Sequence, residues 1–256
     1  MQATSGHFPH RRAALGAAAA TLTAGMSSAG AQSPRGMRAK GHVVLLGDSV
    51  FDNAGYLRGA RPDLLAQLQS RLAQGWQATR LARGGSVASD VPGQMGALPR
   101  DATHIVISAG GNDAGRREGT LEGAVRSVAE ALARIADIRE AFARDYAAML
   151  DAALAHGLPV AVCTIYDPRF PEPGRRRVSV VALAAFNDVI TREAFARGVA
   201  LIDLRLVCNR EEDFAAPTGP SVEGGAKIAA EIARWTAGPA SGGRRSEVFA
   251  GGEGRG

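Results

Sequence analysis

Val43-Val44-Leu45-Leu46-Gly47-Asp48-Ser49 opens the folded part of this 256-residue chain. Four apolar residues, two of them β-branched, run into a glycine and two short polar side chains. That pattern reads as a buried strand over 43–47 that ends in a loop. Further on, Ile105-Val106-Ile107 leads in the same way into Gly110-Gly111-Asn112-Asp113. In an open parallel sheet, the loops beyond the carboxyl ends of the strands line the ligand crevice. A serine at one such end and a Gly-Gly-Asn turn at another make a layout for a nucleophile facing an oxyanion hole.

Outward from these two stretches, apolar runs and helical stretches alternate. Leu64, Leu65, Leu68 and Leu72 predict a helix over 62–72. Residues 76–81 read as a weaker second strand, followed by the Gly84-Gly85-Ser86 loop, and 104–108 as the third. A long helical region spans about 121–156, with a weak point near Asp137, and Gly157-Leu158-Pro159 closes it. Residues 159–165 form a fourth strand, 178–196 a helix and 199–202 a short fifth strand. Ser221 is placed to cap a last helix reaching Trp235, with Gly224-Gly225 in its first turns. Strands alternating with helices imply a parallel sheet with right-handed crossovers. The near-continuous Val/Ile/Leu strands imply helices on both faces. The expected fold is therefore α/β: a three-layer α/β/α, flavodoxin-like domain over 41–237 with a parallel sheet of about five strands.

A formal net charge of +5 suggests a polyanion partner until the charges are located. Of 30 Lys and Arg, five lie in residues 1–40 and three in 238–256; of 25 acids, none and two. Residues 41–237 thus carry 22 basic and 23 acidic side chains, a net of −1, and nucleic-acid binding is not expected. Arg175-Arg176-Arg177, after the Pro171/Pro173-Gly174 turn, reads as a solvated helix start ahead of an anion site.

Arg11-Arg12, an Ala-rich stretch over 13–25 and Ala29-Gly30-Ala31 resemble an export signal with its cleavage site. Residues 1–40 are therefore assigned to a signal peptide and linker, and the mature protein to the periplasm or the medium. Initiation at Met37 would leave it cytoplasmic. Residues 238–256 are Gly/Ser-rich and are expected to be a disordered tail. No stretch after residue 40 is apolar enough to span a membrane. Cys163 and Cys208 are expected as buried thiols, with a disulfide open if the protein is exported. They give no metal pattern, and no metal or cofactor is called for.

Gly47-Asp48-Ser49, the Gly85 loop, Gly110-Gly111-Asn112-Asp113 and Pro220-Ser221 with Gly224-Gly225 occur in the order of the SGNH/GDSL hydrolases. The chain resembles that family over most of residues 42–236. The resemblance implies Ser49 as nucleophile in the hydrolysis of a small-molecule ester. It also implies an oxyanion hole made by the backbone N–H groups of Ser49 and Gly85 and the Asn112 side-chain amide. Asn112 has a second reading, closure of its own turn. Asp48 and Asp113 are expected as hydrogen-bond acceptors that order loops.

The pattern breaks at its last motif. The family places Asp-x-x-His just ahead of Pro-Ser, where this chain reads Ala216-Pro217-Thr218-Gly219. Gly219 stands in the histidine position and Ala216 in the aspartate position. His7 and His10 lie in the leader, and His42, His104 and His156 lie at or before strand starts, a strand length of roughly 15–20 Å from the opposite edge. None is a plausible base for Ser49, because a base must come within about 3 Å or one water. Three readings remain. A carboxylate could substitute: Asp203 at the end of the fifth strand, or Glu211, Glu212, Asp213 or Glu223 beside the altered loop, if burial raises it enough. Hydrolysis could run slowly on Ser49 and the oxyanion hole with water as base. Or the fold could serve as a catalytically impaired, ligand-binding module. A nucleotide or flavin role fits poorly, since Gly84-Gly85-Ser86 matches neither phosphate-loop pattern. Tyr166 and Asp167 are candidates for the pocket wall, and Phe51, Asp52 and Asn53 for its entrance.

Overall fold

The computed structural model describes residues 40–59, 61–238 and 247–251. The expected signal peptide and cleavage site, and Met37, lie outside the described residues. Strand β1 (His42–Gly47) is buried along its whole length. Helix α1 (Leu64–Arg71) starts at Asp63, whose carboxylate accepts from the Ala66 N–H, the usual role of an N-cap acid. Strand β2 (Gln77–Arg80), the short helix α2 (Val91–Met95) and strand β3 (His104–Ser108) follow. Then come the single turn α3 (Gly111–Gly115) and the long helix α4 (Val128–Leu154), capped by Ser127. Strand β4 (Val160–Cys163) leads to α5 (Pro173–Arg197), which stops at Gly198 in the left-handed conformation. Strand β5 (Ala200–Ile202) runs into α6 (Leu204–Val207). A hairpin of β6 (Phe214–Ala216) and β7 (Gly219–Pro220) precedes α7 (Val222–Ala237), and β8 (Val248–Phe249) comes last.

The main sheet has the order β2-β1-β3-β4-β5-β8, and every pairing is parallel. The first five strands follow the flavodoxin-like order, whose direction of winding reverses between β1 and β3. Successive strand residues point to opposite faces, and the core divides accordingly. Val44, Leu46, Ile105, Ile107, Val162 and Leu201 pack under α2, α4 and α5. Val43, Leu45, Val106, Ala161 and Ile202 pack under α1, α6 and α7. This is the expected three-layer α/β/α arrangement.

The structure corrects the sequence reading in three places. Val248–Phe249, inside the stretch expected to be a disordered tail, lies along β5, so the sheet has six strands among the described residues beside the five or so expected. The Leu201 N–H donates to the Glu247 carbonyl and the Asp203 N–H to the Phe249 carbonyl, each at 2.8 Å. Two residues are too few to show a period, and ladder bonds made by backbone leave no mark on composition. Helix α4 passes through Asp137 unbroken, since its cap lies at Ser127 and an exposed acid costs a helix little. Helix α5 begins at Pro173, ahead of the expected 178, since proline suits a first helical position.

Cys163 and Cys208 are both buried and both free. Burial pushes the Cys208 thiol up to about 12 and raises the Cys163 thiol as well. His42 begins β1, with its ring between Asp101 (2.9 Å) and Thr79 (2.8 Å). His104 begins β3, its ring 5.1 Å from that of Trp76 and 5.2 Å from that of Trp235. His156 lies between α4 and β4. All three are thus at the amino edge of the sheet. Among the described residues, no helix is long and apolar enough to cross a membrane.

Candidate active site

A cavity of about 320 Å³ opens at the carboxyl edge of the sheet, over the ends of β1, β3 and β4. Ser49, two residues past β1, lines it together with Asn112, in the first turn after β3. Two close approaches build this corner. Gly47 sits at φ 114°, and a Cβ there would lie 1.8 Å from the Ser108 carbonyl oxygen, so the turn after β1 admits only glycine. Gly110 sits at φ 121°, with the Ile165 and Phe142 side chains 3.1 Å from where its Cβ would be. These two glycines let both strands break sharply at one level and bring their next residues to one cleft.

Asp48 and Asp113 hold the corner from behind. The buried Asp48 carboxylate accepts from the Val50 N–H (3.0 Å) and the Ser108 hydroxyl (3.1 Å). Burial nevertheless pushes it up to about 7. Asp113 accepts from the Ala88 N–H at 3.1 Å, and burial raises its carboxyl as well. Asn112 donates from Nδ2 to the Ser86 carbonyl at 2.9 Å, so it does close a loop. An amide nitrogen carries two hydrogens, and that bond takes one of them.

Gly85 does not line the cavity but belongs to the loop beside it, at φ 83°. A Cβ on the neighbouring Gly84 would lie 3.8 Å from the Ser49 Cβ, so this loop passes close to the serine. The Gly84 N–H donates to Asp52 at 3.1 Å. Among the described residues, no acceptor is engaged by the backbone N–H of Ser49 or of Gly85.

None of the five acids considered as substitute bases lines the cavity. Asp203 caps α6 and binds the Thr164 hydroxyl and the Arg205 side chain. Burial raises its carboxyl, but Arg205 and Thr164 more than offset this and hold it below the ordinary range. Asp213 is fully buried against Lys227 at 2.7 Å. Glu211 pairs with Arg176 and Arg169, Glu212 with Arg210, and Glu223 is exposed at the start of α7. Nearby cations and backbone donors take the first four of these carboxylates.

The group on the serine is one the sequence did not single out. The Tyr56 hydroxyl donates to Ser49 Oγ at 2.9 Å, and Tyr56 lines the same cavity. Its ring lies against Gly219: a Cβ at 219 would come 2.4–2.6 Å from three of its ring carbons. Nothing local marks Tyr56, which follows a short 3-10 turn at Asn53–Gly55.

Of the other candidates, Tyr166 lines the cavity and donates to the Thr218 carbonyl at 2.6 Å, while Asp167 does not line it. Phe51, Asp52 and Asn53 do not shape the entrance. Phe51 is core, Asp52 holds Gly84, and Asn53 accepts from the Leu64 N–H at 3.0 Å. The outer wall is apolar, with Leu121, Ile165, Phe170 and Leu183. Arg175 spans that side, paired to Glu118 at 2.7 Å and stacked 3.9 Å over Phe170. The arginine run is thus a helix start whose first two charges are paired, since Arg176 meets Glu211.

The model of the GDSL-like Lipase/Acylhydrolase family matches residues 45–226. No curated protein matches the chain in sequence. Among solved structures, an extracellular lipase from Streptomyces rimosus is 21% identical with a TM-score of 0.53, covering 76% of this chain and 100% of its own. A phospholipase A1 from Streptomyces albidoflavus is 19% identical with a TM-score of 0.54, covering 76% and 99%. A carbohydrate acetylesterase from Sinorhizobium meliloti is 14% identical with a TM-score of 0.54, covering 77% and 99%. At these identities the likeness is one of fold.

Proposed function

This chain belongs to the GDSL-like lipase/acylhydrolase family, and we propose that it hydrolyses small-molecule esters with Ser49 as the nucleophile. The observation that carries this reading is the position of Ser49: a half-buried hydroxyl at the carboxyl edge of β1, lining a 320 Å³ cleft beside Asn112. The backbone N–H groups of Ser49 and Gly85 and the remaining Asn112 amide hydrogen serve as the oxyanion hole. The unengaged state of both backbone donors supports that role. Donors already fixed in place stabilise a tetrahedral oxyanion without reorganising as charge develops. The acyl group lies against Ile165, Phe170 and Leu183, which suits an apolar chain. The leader-like residues support export to the periplasm or the medium.

A second reading, a ligand-binding module on a hydrolase fold, is favoured by one observation: among the described residues, no histidine lines the cavity. Turnover of a p-nitrophenyl ester by wild type and by Ser49→Ala separates the two. Turnover that disappears in the variant establishes the serine esterase. Equal background rates in both leave ligand binding as the function.

A further inference from the structure

Ser49 lacks the histidine that its family supplies, and the space for that residue is filled. We propose that Tyr56 is the catalytic partner of Ser49, relaying the serine proton to the leaving alcohol. The proposal rests on the Ser49 reading above. Its geometric basis has two parts. The phenolic oxygen is 2.9 Å from Ser49 Oγ, within the reach required of a proton-transfer partner. And the ring lies flat against the backbone of Gly219, the residue in the histidine's place, so closely that a Cβ there would sit 2.4 Å from it. A side chain at 219 and the Tyr56 ring are therefore alternatives: one sequence position emptied, and another filled the space.

A hydroxyl offers one donor hydrogen and two acceptor sites, and the hydrogen turns to suit its surroundings. Without substrate the phenol donates to Oγ. With an ester in the cleft, the phenolic hydrogen turns to the alkoxy oxygen of the ester, and the Oγ hydrogen turns to the phenolic oxygen. In acylation the Oγ lone pair forms the bond to the acyl carbon. The Oγ proton passes to the phenolic oxygen, the phenolic proton passes to the alkoxy oxygen, and the bond from carbon to that oxygen breaks. The alcohol leaves, and Tyr56 is neutral again. In deacylation a water oxygen attacks the acyl carbon. Its proton passes to the phenolic oxygen, the bond from Oγ to the acyl carbon breaks as the phenolic proton returns to Oγ, and the carboxylic acid departs. Tyr56 never holds a net charge, so the relay needs no neighbouring cation and no aspartate behind it. Ala216 in the aspartate position agrees with that.

Tyr56→Phe removes one oxygen and keeps the ring on Gly219, so the packing stays. The readout is kcat/KM on two esters of the same acid, an ethyl ester and a p-nitrophenyl ester. Nitrophenolate leaves without a proton, whereas an ethoxide leaving group needs one. The expected loss is roughly 10²–10⁴-fold on the ethyl ester, the span of general acid–base catalysis, and clearly smaller on the nitrophenyl ester. Equal losses on both substrates would mean that Tyr56 only orients Ser49, and would overturn the relay; so would no loss on either. Labelling by a fluorophosphonate, which needs no protonated leaving group, separates the two levels. A wild-type chain unlabelled at Ser49 overturns the serine reading and this proposal with it. A chain labelled at Ser49 whose ethyl-ester turnover ignores Tyr56→Phe overturns this proposal alone. Gly219→Ala, which displaces the ring without removing a polar atom, is expected to lose ethyl-ester turnover too. Full turnover in that variant would overturn the mutual exclusion on which the proposal rests.

Discussion

Gln94 clamps Gly47 from both sides. Its Oε1 accepts from the Gly47 N–H at 2.7 Å, and its Nε2 donates to the Gly47 carbonyl at 2.9 Å. The carboxamide thus behaves as one more strand residue, pairing both peptide groups of the glycine that aims Ser49. Gln94→Leu leaves the buried Gly47 N–H unpaired, at a cost of about 1–3 kcal/mol, while the Gly47 carbonyl keeps its bond from the Arg83 N–H. Chemical denaturation checks this; a midpoint equal to that of wild type would show that water or a neighbour takes over the bond.

Asn112 holds the Ser86 carbonyl and faces the cleft at the same time. Asn112→Ala is expected to lower ester turnover roughly 10²–10³-fold, as the loss of one oxyanion donor does. The domain should stay folded, since α3 and β3 do not depend on that side chain. Unchanged turnover in a folded variant would reduce Asn112 to a loop tie.

Asp48 gives stability a pH dependence of definite sign. Its folded-state carboxyl sits at about 7, against an ordinary value of 3.8, because burial disfavours the charged form. Between about pH 4 and pH 7 the folded chain therefore holds a proton that the unfolded chain has released. Stability from this group falls as pH rises through that window, by at most about 1.4 kcal/mol per pH unit, and levels off above it. Asp48→Asn should flatten that slope in denaturation curves recorded across the window. An identical slope in both proteins would assign the effect to another group.

Strand β8 covers one edge of β5, so removing residues 247–256 exposes a parallel edge. The bonds to the Glu247 and Phe249 carbonyls are among those lost directly, about 2 kcal/mol for the pair, which corresponds to roughly 4–8 °C in melting temperature for a domain of this size. A melting temperature unchanged by the deletion would show that β8 contributes no net stability.

The strands that carry Ser49 and Asn112 were legible because each combines a hydrophobic run with a glycine break, and both signals are local. The parallel sheet with its covering helices followed from the alternation of strand and helix. Tyr56 was not legible, because what makes it matter is contact with Gly219, 163 positions away. Gly219 could be read as a loss, but not as room made for something else. The carboxylates near the altered loop misled for the same reason. Lys227 and Arg176, the partners of Asp213 and Glu211, come from separate helices, and only the folded chain brings them together. Nothing in the sequence marks Gln94, because backbone pairing by a side chain has no pattern in sequence.

The contact between Tyr56 and Gly219 also constrains how this site can change over generations. Gly219→His alone would drive an imidazole into the phenol ring. Shortening Tyr56 first would leave Ser49 with neither partner until the second change arrived. On the relay proposed above, each single step toward the family's usual arrangement passes through a site worse than the present one, so the departure acts as a ratchet. A lineage that has packed a tyrosine into this space returns to histidine only by changing both positions together.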